Sequence, residues 1–321
     1  MTTSIFEQVR SSCRSVARRA GHVRIDAHRI ADYAFSLSLA EARSPSLDRK
    51  RHYIGSTEDT TAFFLTLDTI NFGSGWFPHL KKRPGMSGYY TIAMALTERF
   101  RSAGPISAKE LCAMTDADCT ALFGQDPKNA AVVELMTFFA RAFNDLGRFL
   151  LERFDGRWLS LVASAEQSAA KLVRILAEMP YFRDVHAYGD IEVSFYKRAQ
   201  LAAADLSLAF DGRGPGRFHD LDRLTIFADN LVPHVLRLDG VLTYEASLLQ
   251  RIADGDTLAA GSAEEIEIRA GAVDAVERIR ETLQKAGFHI TARGLDYLLW
   301  HRGQQPEYKA MPRHRTRCVY Y

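Results

Sequence analysis

One carboxylate of the chain stands among apolar residues. Asp229 lies in the run Leu224–His234, where most of its neighbours are apolar. Burying an ionised carboxylate is costly unless it accepts hydrogen bonds or faces a cation, so such a residue is a candidate for chemistry. An aspartate that caps the N-terminus of a helix is the common structural alternative. The residues alone leave both interpretations open.

A second group of polar residues lies near the C-terminus, in Leu295–Gly303. Asp296 and Trp300 are four residues apart, and Tyr297 and His301 have the same spacing, so the two pairs occupy adjoining strips of a helix. A carboxylate can accept two hydrogen bonds from the edge of a guanine-like base while an aromatic ring stacks on it. An amphipathic helix with a polar outer side is the alternative.

The segment Leu67–Pro78 combines polar side chains, aromatic rings and glycines. Its Asp68, Asn71 and Trp76 are of types that bind a planar, polar ligand. Glycines let a backbone approach such a ligand closely, and aromatic faces suit a base. The alternative is a structural turn whose aromatic residues belong to the core.

Two cations, Lys197 and Arg198, interrupt the largely apolar run Ile191–Gln200, so one of them could point towards a cavity. Surface Lys-Arg pairs are common in helices, which is the structural alternative. His22 precedes the first predicted helix, where it either lines a pocket or is a surface histidine.

Five blocks of the sequence resemble one known family. The queuosine salvage family, the queuosine 5'-phosphate N-glycosylases, is similar to this chain in Asp68–Pro78, Tyr196–Gln200, Leu224–Pro233, Leu295–Gly303 and Pro312–Tyr321. The blocks follow one another in a consistent order over most of the chain. Several long matching blocks are more specific than a short motif.

The resemblance implies hydrolysis of queuosine 5'-phosphate to queuine and ribose 5-phosphate, with neither a cofactor nor a metal. It implies that Asp229 is the catalytic carboxylate and that Asp296 contacts the base. The other residues expected to contact substrate are His22, Asp68, Asn71, Trp76, Lys197, Phe227, Asn230, Tyr297 and His301. For the 5'-phosphate, Lys197 is the first choice, and Arg198 and His52 are weaker ones. Asn230 and Leu231 stand where some relatives are expected to carry an aromatic and a basic residue, which puts the role of Asn230 in question.

Two other functions fit parts of the sequence. A non-catalytic nucleotide- or tRNA-binding module would use the aromatic segment and Arg313–Arg317, although that basic run can also hold the chain end in place. A base-excision glycosylase would need a basic stripe for nucleic acid, and a formal net charge of only +2 argues against one. We therefore expect a small-molecule substrate and no stable nucleic-acid partner. The sequence leaves the oligomeric state open.

The elements that must position these residues are predicted to be mostly helical. Apolar residues recur every three or four positions in two long stretches, Ser160–Glu178 and Glu264–Ala286. Pro180 ends the first, and Gly287 is placed to cap the second. Further predicted helices are Ile25–Leu39, Tyr89–Ser102, Ser107–Thr115 with Ser107 as N-cap, Ala130–Asn144, Gly147–Arg153, Val193–Ala209 and Thr243–Asp254.

Strand signals are sparse. Phe288–Ile290 and Cys318–Tyr321 are predicted as short extended pieces, and Thr61–Leu67 is ambiguous. The fold class is therefore mainly α with few short strands. The family resemblance implies a compact two-lobed fold like that of helix-hairpin-helix DNA glycosylases. We expect residues 1–321 to form one domain, with two intimate helical lobes as the alternative.

The composition is that of a globular protein. Of 321 residues, 47% are hydrophobic and 25% charged, which supports a sizeable core and argues against disorder. No stretch reaches the roughly 20 apolar residues that span a bilayer, and Met1–Arg19 lacks the apolar centre of a signal peptide. The cysteines show neither CxxC nor zinc-ligand spacing. These features predict a soluble, cytoplasmic protein without a membrane partner.

Overall fold

Helices dominate the structure, a computed structural model that describes residues 4–43 and 45–321. About 60% of the chain is helical and the strands are few and short, which confirms the mainly α class. The chain folds into two units, each assembled from three segments. The first comprises Met1–Pro45, Asp184–Lys197 and Asp220–Arg317, and the second Ser46–Arg183, Arg198–His219 and Cys318–Tyr321. The expected single domain and the likeness to DNA glycosylases stay predictions.

The α-helices are, in chain order, α1 (Ile5–Arg19), α2 (Arg29–Ser36), α3 (Leu39–Arg43), α4 (Thr57–Thr69), α5 (Gly88–Ala103), α6 (Ala108–Ala113), α7 (Asp116–Leu122), α8 (Ala130–Phe154), α9 (Trp158–Ser164), α10 (Ala169–Leu176), α11 (Lys197–Ala209), α12 (Val232–Leu238), α13 (Ala246–Asp254), α14 (Ala263–Lys285), α15 (Ala292–Arg302) and α16 (Pro306–Ala310). Single 3₁₀ turns are formed by Phe77–His79, Pro180–Phe182, Gly214–Gly216 and Leu221–Arg223.

Short strands pair in twos within the first unit. They are β1 (Val23–Ile25), β2 (Val185–Tyr188), β3 (Ile191–Ser194), β4 (Leu242–Tyr244), β5 (Thr257–Leu258) and β6 (Arg315–Thr316). Antiparallel pairs join β1 to β4 and β2 to β3, and β5 pairs with β6 in parallel. The pairs β1–β4 and β5–β6 join segments that are far apart in sequence.

Helix α14 is the centre of the first unit. All its residues from Glu265 to Glu277 are buried, and α1, α2, α12, α15 and β1 pack around it. A Cβ atom at Gly271 would lie 3.3 Å from a methyl carbon of Val23, so the glycine lets β1 lie close to the helix. A helix that is buried all round must satisfy its charged residues internally. Asp274 does so by accepting from Arg278 at 2.7 Å.

The second unit is built on the long helix α8, against which α4, α6, α7 and α9 pack. Its core is rich in phenylalanine, and ring pairs such as Phe72–Phe139 and Phe63–Phe100 meet edge to face at centroid distances of 5.1 and 5.3 Å. Such edge-to-face pairs stabilise a core beyond their burial. The buried Arg198 lies over the rings of Phe72 and Phe182, at 4.8 and 4.7 Å from their centroids.

Several predicted helices are confirmed closely. Glu264–Ala286 corresponds to α14, after which Gly287 adopts a φ of 87° that favours glycine. Tyr89–Ser102 corresponds to α5. Ser107 caps α6 through a reciprocal capping box with Glu110.

The predicted helix Ser160–Glu178 is wrong as a single element. Glu166 and Gln167 adopt φ angles of 49° and 59°, which end α9, and Ser168 caps the new helix α10. The apolar spacing continues across the break because both helices bury one face. The opposite error occurs in α8. Its residues are predicted as two helices, Ala130–Asn144 and Gly147–Arg153, but they form one helix.

Three predicted helices begin too early, for one physical reason. In Ile25–Leu39, Val193–Ala209 and Thr243–Asp254, the first residues belong to β1, β3 and β4, so the helices α2, α11 and α13 start later. A strand gains its hydrogen bonds from a partner that is often remote in sequence, and local periodicity does not show that partner.

The predicted strands are also corrected. Phe288–Ile290 is irregular because Gly287 has just ended α14 and Thr291 already caps α15. Cys318–Tyr321 is irregular too, held by Gly73, whose N–H donates to the Tyr321 carbonyl at 2.9 Å. Thr61–Leu67 lies inside helix α4.

Candidate active site

Asp229 lies three residues before α12, which begins at Val232 with Leu231 as its N-cap. Its Oδ1 accepts hydrogen bonds from the backbone N–H groups of Leu231 at 2.7 Å and Val232 at 3.2 Å. These two bonds fix the orientation of the carboxylate in the turn that leads into the helix, so the alternative of an N-cap aspartate is wrong. Across the described residues, no group donates a hydrogen bond to Oδ2, and Asp229 is only half-buried.

The backbone that carries Asp229 is held by two buried charged side chains. The Phe227 N–H donates to Oδ1 of Asp296 at 2.8 Å, and the Ala228 carbonyl accepts from Nε of Arg269 at 3.0 Å. Asp296 is 6% exposed and Arg269 is fully buried. Asp296 thus has a positioning contact that the sequence did not predict, beside its predicted contact with a base.

Arg269 is also one half of a buried ion pair. Its guanidinium makes two bonds to Asp184, at 3.0 and 2.6 Å, and lies 3.9 Å from the centroid of the Phe195 ring. Burial alone would raise the pKa of Asp184, but the charge of Arg269 and hydrogen bonds from His186 and Arg269 outweigh it, so this pKa lies below its ordinary value. Asp184 is therefore an anion that keeps Arg269 in place.

Lys197 begins helix α11 and is 6% exposed. Its backbone N–H donates to Oδ2 of Asp184 at 3.2 Å, so Asp184 touches both Arg269 and the start of this helix. The preceding Tyr196 has a φ of 49°, a left-handed conformation that is rare for a bulky residue and is typical of constrained functional segments. An ammonium group at the N-terminal end of a helix is a suitable arrangement for an anion.

One segment near the C-terminal end, Arg313–His314, interacts with Asp229 electrostatically and with Asn230 through a hydrogen bond. Burial lowers the pKa of Arg313, while the negative charge of Asp229 acts to raise it, so the two groups are within electrostatic reach. The Asn230 side chain donates to the His314 carbonyl at 3.5 Å and is 5% exposed. Phe227 is 8% exposed.

His22 is held from two sides. Its backbone N–H and that of Val23 donate to one oxygen of Glu267, at 2.6 and 3.0 Å, and the Gly21 N–H reaches the other oxygen at 3.2 Å. The ring Nδ1 lies 2.8 Å from Glu245, whose hydrogen bond raises the pKa of His22 above its ordinary value. The half-exposed ring is therefore oriented by a carboxylate.

The rings of Tyr297 and His301 lie against each other along α15, tilted by 41°. Their ring centroids are 4.0 Å apart, and His301 also bonds the Tyr297 carbonyl through Nδ1 at 2.9 Å. Trp300 meets the His301 ring at 5.2 Å. His301 is exposed, whereas Asp296 on the same helix is buried against the Phe227 backbone. The helix thus presents its carboxylate and its imidazole in different environments.

The remaining predicted contacts belong to the second unit. Asp68 is fully buried and accepts from Asn71 at 3.3 Å. Trp76 is 1% exposed, and its Nε1–H donates to Glu134 at 2.8 Å. The Trp76 ring is therefore a member of the core, as in the structural alternative for this turn. Roles for these three residues in substrate binding stay predictions.

The two weaker phosphate candidates also lie in the second unit. His52 uses both ring nitrogens, on the Asp48 carbonyl at 2.8 Å and on the Tyr89 hydroxyl at 2.9 Å, and burial lowers its pKa. It is therefore a neutral structural histidine. Arg198 donates to backbone carbonyls, including that of Val319 at 2.8 Å, which is also a structural role.

The buried pair of Asp184 and Arg269 is the part of this site that sequence reasoning misses. A signal is present, since Arg269 interrupts the apolar stripe of the predicted helix Glu264–Ala286. A charged residue in a long apolar stripe points to a buried partner. Two partners of Arg269, Asp184 and the Ala228 carbonyl, are remote in sequence, and only the fold shows them.

No group of three or more His, Cys, Asp or Glu side chains within residues 4–43 and 45–321 is arranged to hold a metal ion. Over the same part of the chain, no helix has the length and apolar character needed to cross a membrane.

Comparison with known proteins identifies the family. The family model described as queuosine salvage protein matches residues 51–321. A protein of Sphaerobacter thermophilus named queuosine 5'-phosphate N-glycosylase/hydrolase is 35% identical over 318 residues, covering 98% of this chain and 97% of that protein. A Bos taurus protein of the same name is 32% identical, covering 97% of this chain and 98% of its own length. Because the family model covers residues 51–321 and both relatives match nearly the whole chain, the chain belongs to the queuosine salvage family.

Proposed function

We propose that the chain hydrolyses the N-glycosidic bond of queuosine 5'-phosphate and releases queuine and ribose 5-phosphate, with Asp229 as the central catalytic carboxylate. The relatives that match nearly the whole chain carry this activity in their names. The observation that supports the residue assignment is the geometry of Asp229. One oxygen is fixed by two backbone N–H groups, and the half-exposed side chain leaves the other available.

Cleavage of an N-glycosidic bond builds positive charge on the anomeric carbon and the ring oxygen. A carboxylate beneath that face stabilises the charge, or attacks the carbon to form a covalent intermediate. Water then supplies a hydroxyl group to the anomeric carbon and a proton to the departing base. A carboxylate that is already oriented needs no reorganisation during this step, which is the condition under which electrostatic stabilisation is most effective.

The leaving base has a particular requirement. Queuine is a 7-deazaguanine, so it lacks the N7 atom that other purine glycosylases can protonate. Assistance must therefore reach the base through O6, N3 or N9. Asp296 and His301 on α15 are the side chains that we propose for contacts to the base, with Tyr297 beside them for stacking.

The 5'-phosphate needs a cation. We propose Lys197, because it combines an ammonium group with the N-terminal end of the 13-residue helix α11. His22, Phe227 and Asn230 belong to the same unit as Asp229 and are proposed to contact substrate. The substrate is in this proposal a small molecule, and neither a stable nucleic-acid partner nor a metal takes part.

Product analysis tests the proposed activity. Purified protein incubated with queuosine 5'-phosphate should release queuine and ribose 5-phosphate in equal amounts, in the presence of a metal chelator. A folded protein that binds the nucleotide without releasing base would instead be a binding module. Salt-sensitive, tight binding to duplex DNA or tRNA together with base release from it would indicate a nucleic-acid glycosylase.

A further inference from the structure

Arg269 occupies an unusual position in the first unit. It is fully buried in the middle of α14, where a guanidinium is stable only with partners for its charge and its N–H groups. Its described partners are Asp184, Glu265 at 3.5 Å, the Phe195 ring and the Ala228 carbonyl. The bond to the Ala228 carbonyl is not needed to neutralise the charge of Arg269, because Asp184 already does so.

Arg269 bonds the backbone carbonyl of Ala228, the residue that directly precedes Asp229. Nε of Arg269 donates to this carbonyl at 3.0 Å, while Asp296 accepts from the N–H of Phe227 at 2.8 Å. Two successive residues are thus held by buried side chains of opposite charge. Asp229 itself is bonded to the following turn. A shift of the Ala228 carbonyl would therefore move the carboxylate of Asp229.

The other side of Arg269 leads to Lys197. Asp184 receives both guanidinium bonds of Arg269 and, through Oδ2, the backbone N–H of Lys197 at 3.2 Å. This ion pair therefore contacts the backbone of Lys197, the proposed cation for the phosphate, and that of Ala228, the residue before the proposed catalytic Asp229. A rigid, planar guanidinium can make these contacts together, whereas a lysine cannot.

We infer that Arg269, paired with Asp184, is a positioning residue that sets the location of the Asp229 carboxylate through the Ala228 carbonyl and links it to Lys197. The inference rests on the proposed function. It assigns Arg269 no contact with substrate. Its effect is on geometry, and a misplacement of about 1 Å can lower a catalytic rate about 100-fold.

Arg269→Lys tests this inference, with kcat and KM measured separately on queuosine 5'-phosphate. The expected result is a fall of kcat of about 10- to 100-fold, a smaller change of KM, and retained binding of queuine. Asp274→Asn is the matched control, because it weakens the ion pairing of another buried charge of the same helix, which accepts from Arg278 at 2.7 Å. The control should lose thermal stability but keep its kcat.

A second variant covers the case in which Arg269→Lys does not fold. The triple variant Arg269→Met with Asp184→Asn and Glu265→Gln leaves no unpaired buried charge among these three positions. The asparagine introduced in place of Asp184 still offers a side-chain oxygen to the Lys197 N–H. This protein should fold and show the same loss of kcat.

An unchanged kcat in a folded Arg269 variant would overturn the inference, and so would an equal loss of kcat in Asp274→Asn. Wild-type protein that releases no queuine would instead refute the proposed function, and the inference would fall with it.

Discussion

Single residues carry the chemistry of this chain, and their surroundings explain how. Asp229 is a candidate catalyst and not the N-cap of α12, which is Leu231. Its Oδ1 accepts from the N–H groups of Leu231 and Val232, and the side chain is half-buried. Hydrogen bonds from backbone N–H groups orient a carboxylate and favour its charged form.

Lys197 gives a prediction at the residue scale. Lys197→Met removes the ammonium group, so the KM for queuosine 5'-phosphate should rise about 10- to 100-fold, as for loss of a charged hydrogen bond worth ~1.5–3 kcal/mol. The KM for queuosine without phosphate should change little. Steady-state kinetics on both substrates make the comparison, with the exposed Lys285→Met as control. Equal losses on both substrates would argue against a phosphate contact.

Two buried histidines predict that the protein loses stability in acid. Burial lowers the pKa of His234 from 6.5 to about 4, and burial with neighbouring positive charges lowers that of His314 to about 3. Between these values and 6.5 the unfolded chain binds more protons than the folded one, so acidification favours unfolding. Each histidine should lower the free energy of unfolding by ~1.4 kcal/mol per pH unit in this range.

Urea unfolding at pH 7, 6 and 5 measures this effect. His234→Gln keeps a donor for the Tyr308 carbonyl but does not titrate, so its stability should fall less steeply with acid than that of the wild type. His289→Gln, at an exposed histidine, should follow the wild type. Parallel curves for the wild type and His234→Gln would show that His234 does not carry the proton linkage.

At the scale of elements, the sequence predicts what local spacing controls. The stripe of α14, the Ser107 cap of α6 and the mainly α class all follow from neighbours within a few residues. The break at Glu166 and Gln167 and the strand β1 do not, because left-handed backbone and strand pairing depend on remote contacts. The same limit applies to the site. Asp229 can be singled out in the sequence, but the bonds of Asp296 to the Phe227 N–H and of Arg269 to the Ala228 carbonyl cannot.

In the second unit, a Gly→Ala substitution inside a helix is predicted to destabilise the protein, against the usual trend. Gly→Ala inside a helix normally stabilises by about 1 kcal/mol, yet a Cβ at Gly147 of α8 would lie 2.6 Å from the Ala108 carbonyl oxygen and 2.6 Å from the Cys112 nitrogen. Since these are backbone atoms of α6, the helices must separate. Gly147→Ala should therefore destabilise by about 1–3 kcal/mol in denaturant unfolding, the range for overpacking. Arg148→Ala, at the exposed next position, should be nearly neutral. A stabilised Gly147→Ala protein would mean that the two helices are not in such close contact.

Each of the two units of the molecule is assembled from three segments that are separated in sequence. Asp229, Lys197, Asp296 and Arg269 all belong to the first unit, although they are spread from the middle of the chain to its C-terminal part. This explains why blocks of sequence in a consistent order, and no single short motif, identify the family. The functional assignment rests on the family, and the proposed roles rest on the hydrogen bonds of this unit.

If the charge of Asp229 drives cleavage, a single-turnover comparison of the wild type with Asp229→Asn will show it. Asparagine keeps an oxygen for the N–H groups of Leu231 and Val232 and removes only the charge. With the variant folded and still binding queuosine 5'-phosphate, the rate of queuine release should fall at least about 100-fold, as when a dominant electrostatic contribution is lost. Release at a rate within a few-fold of the wild type would mean that the Asp229 charge does not drive cleavage.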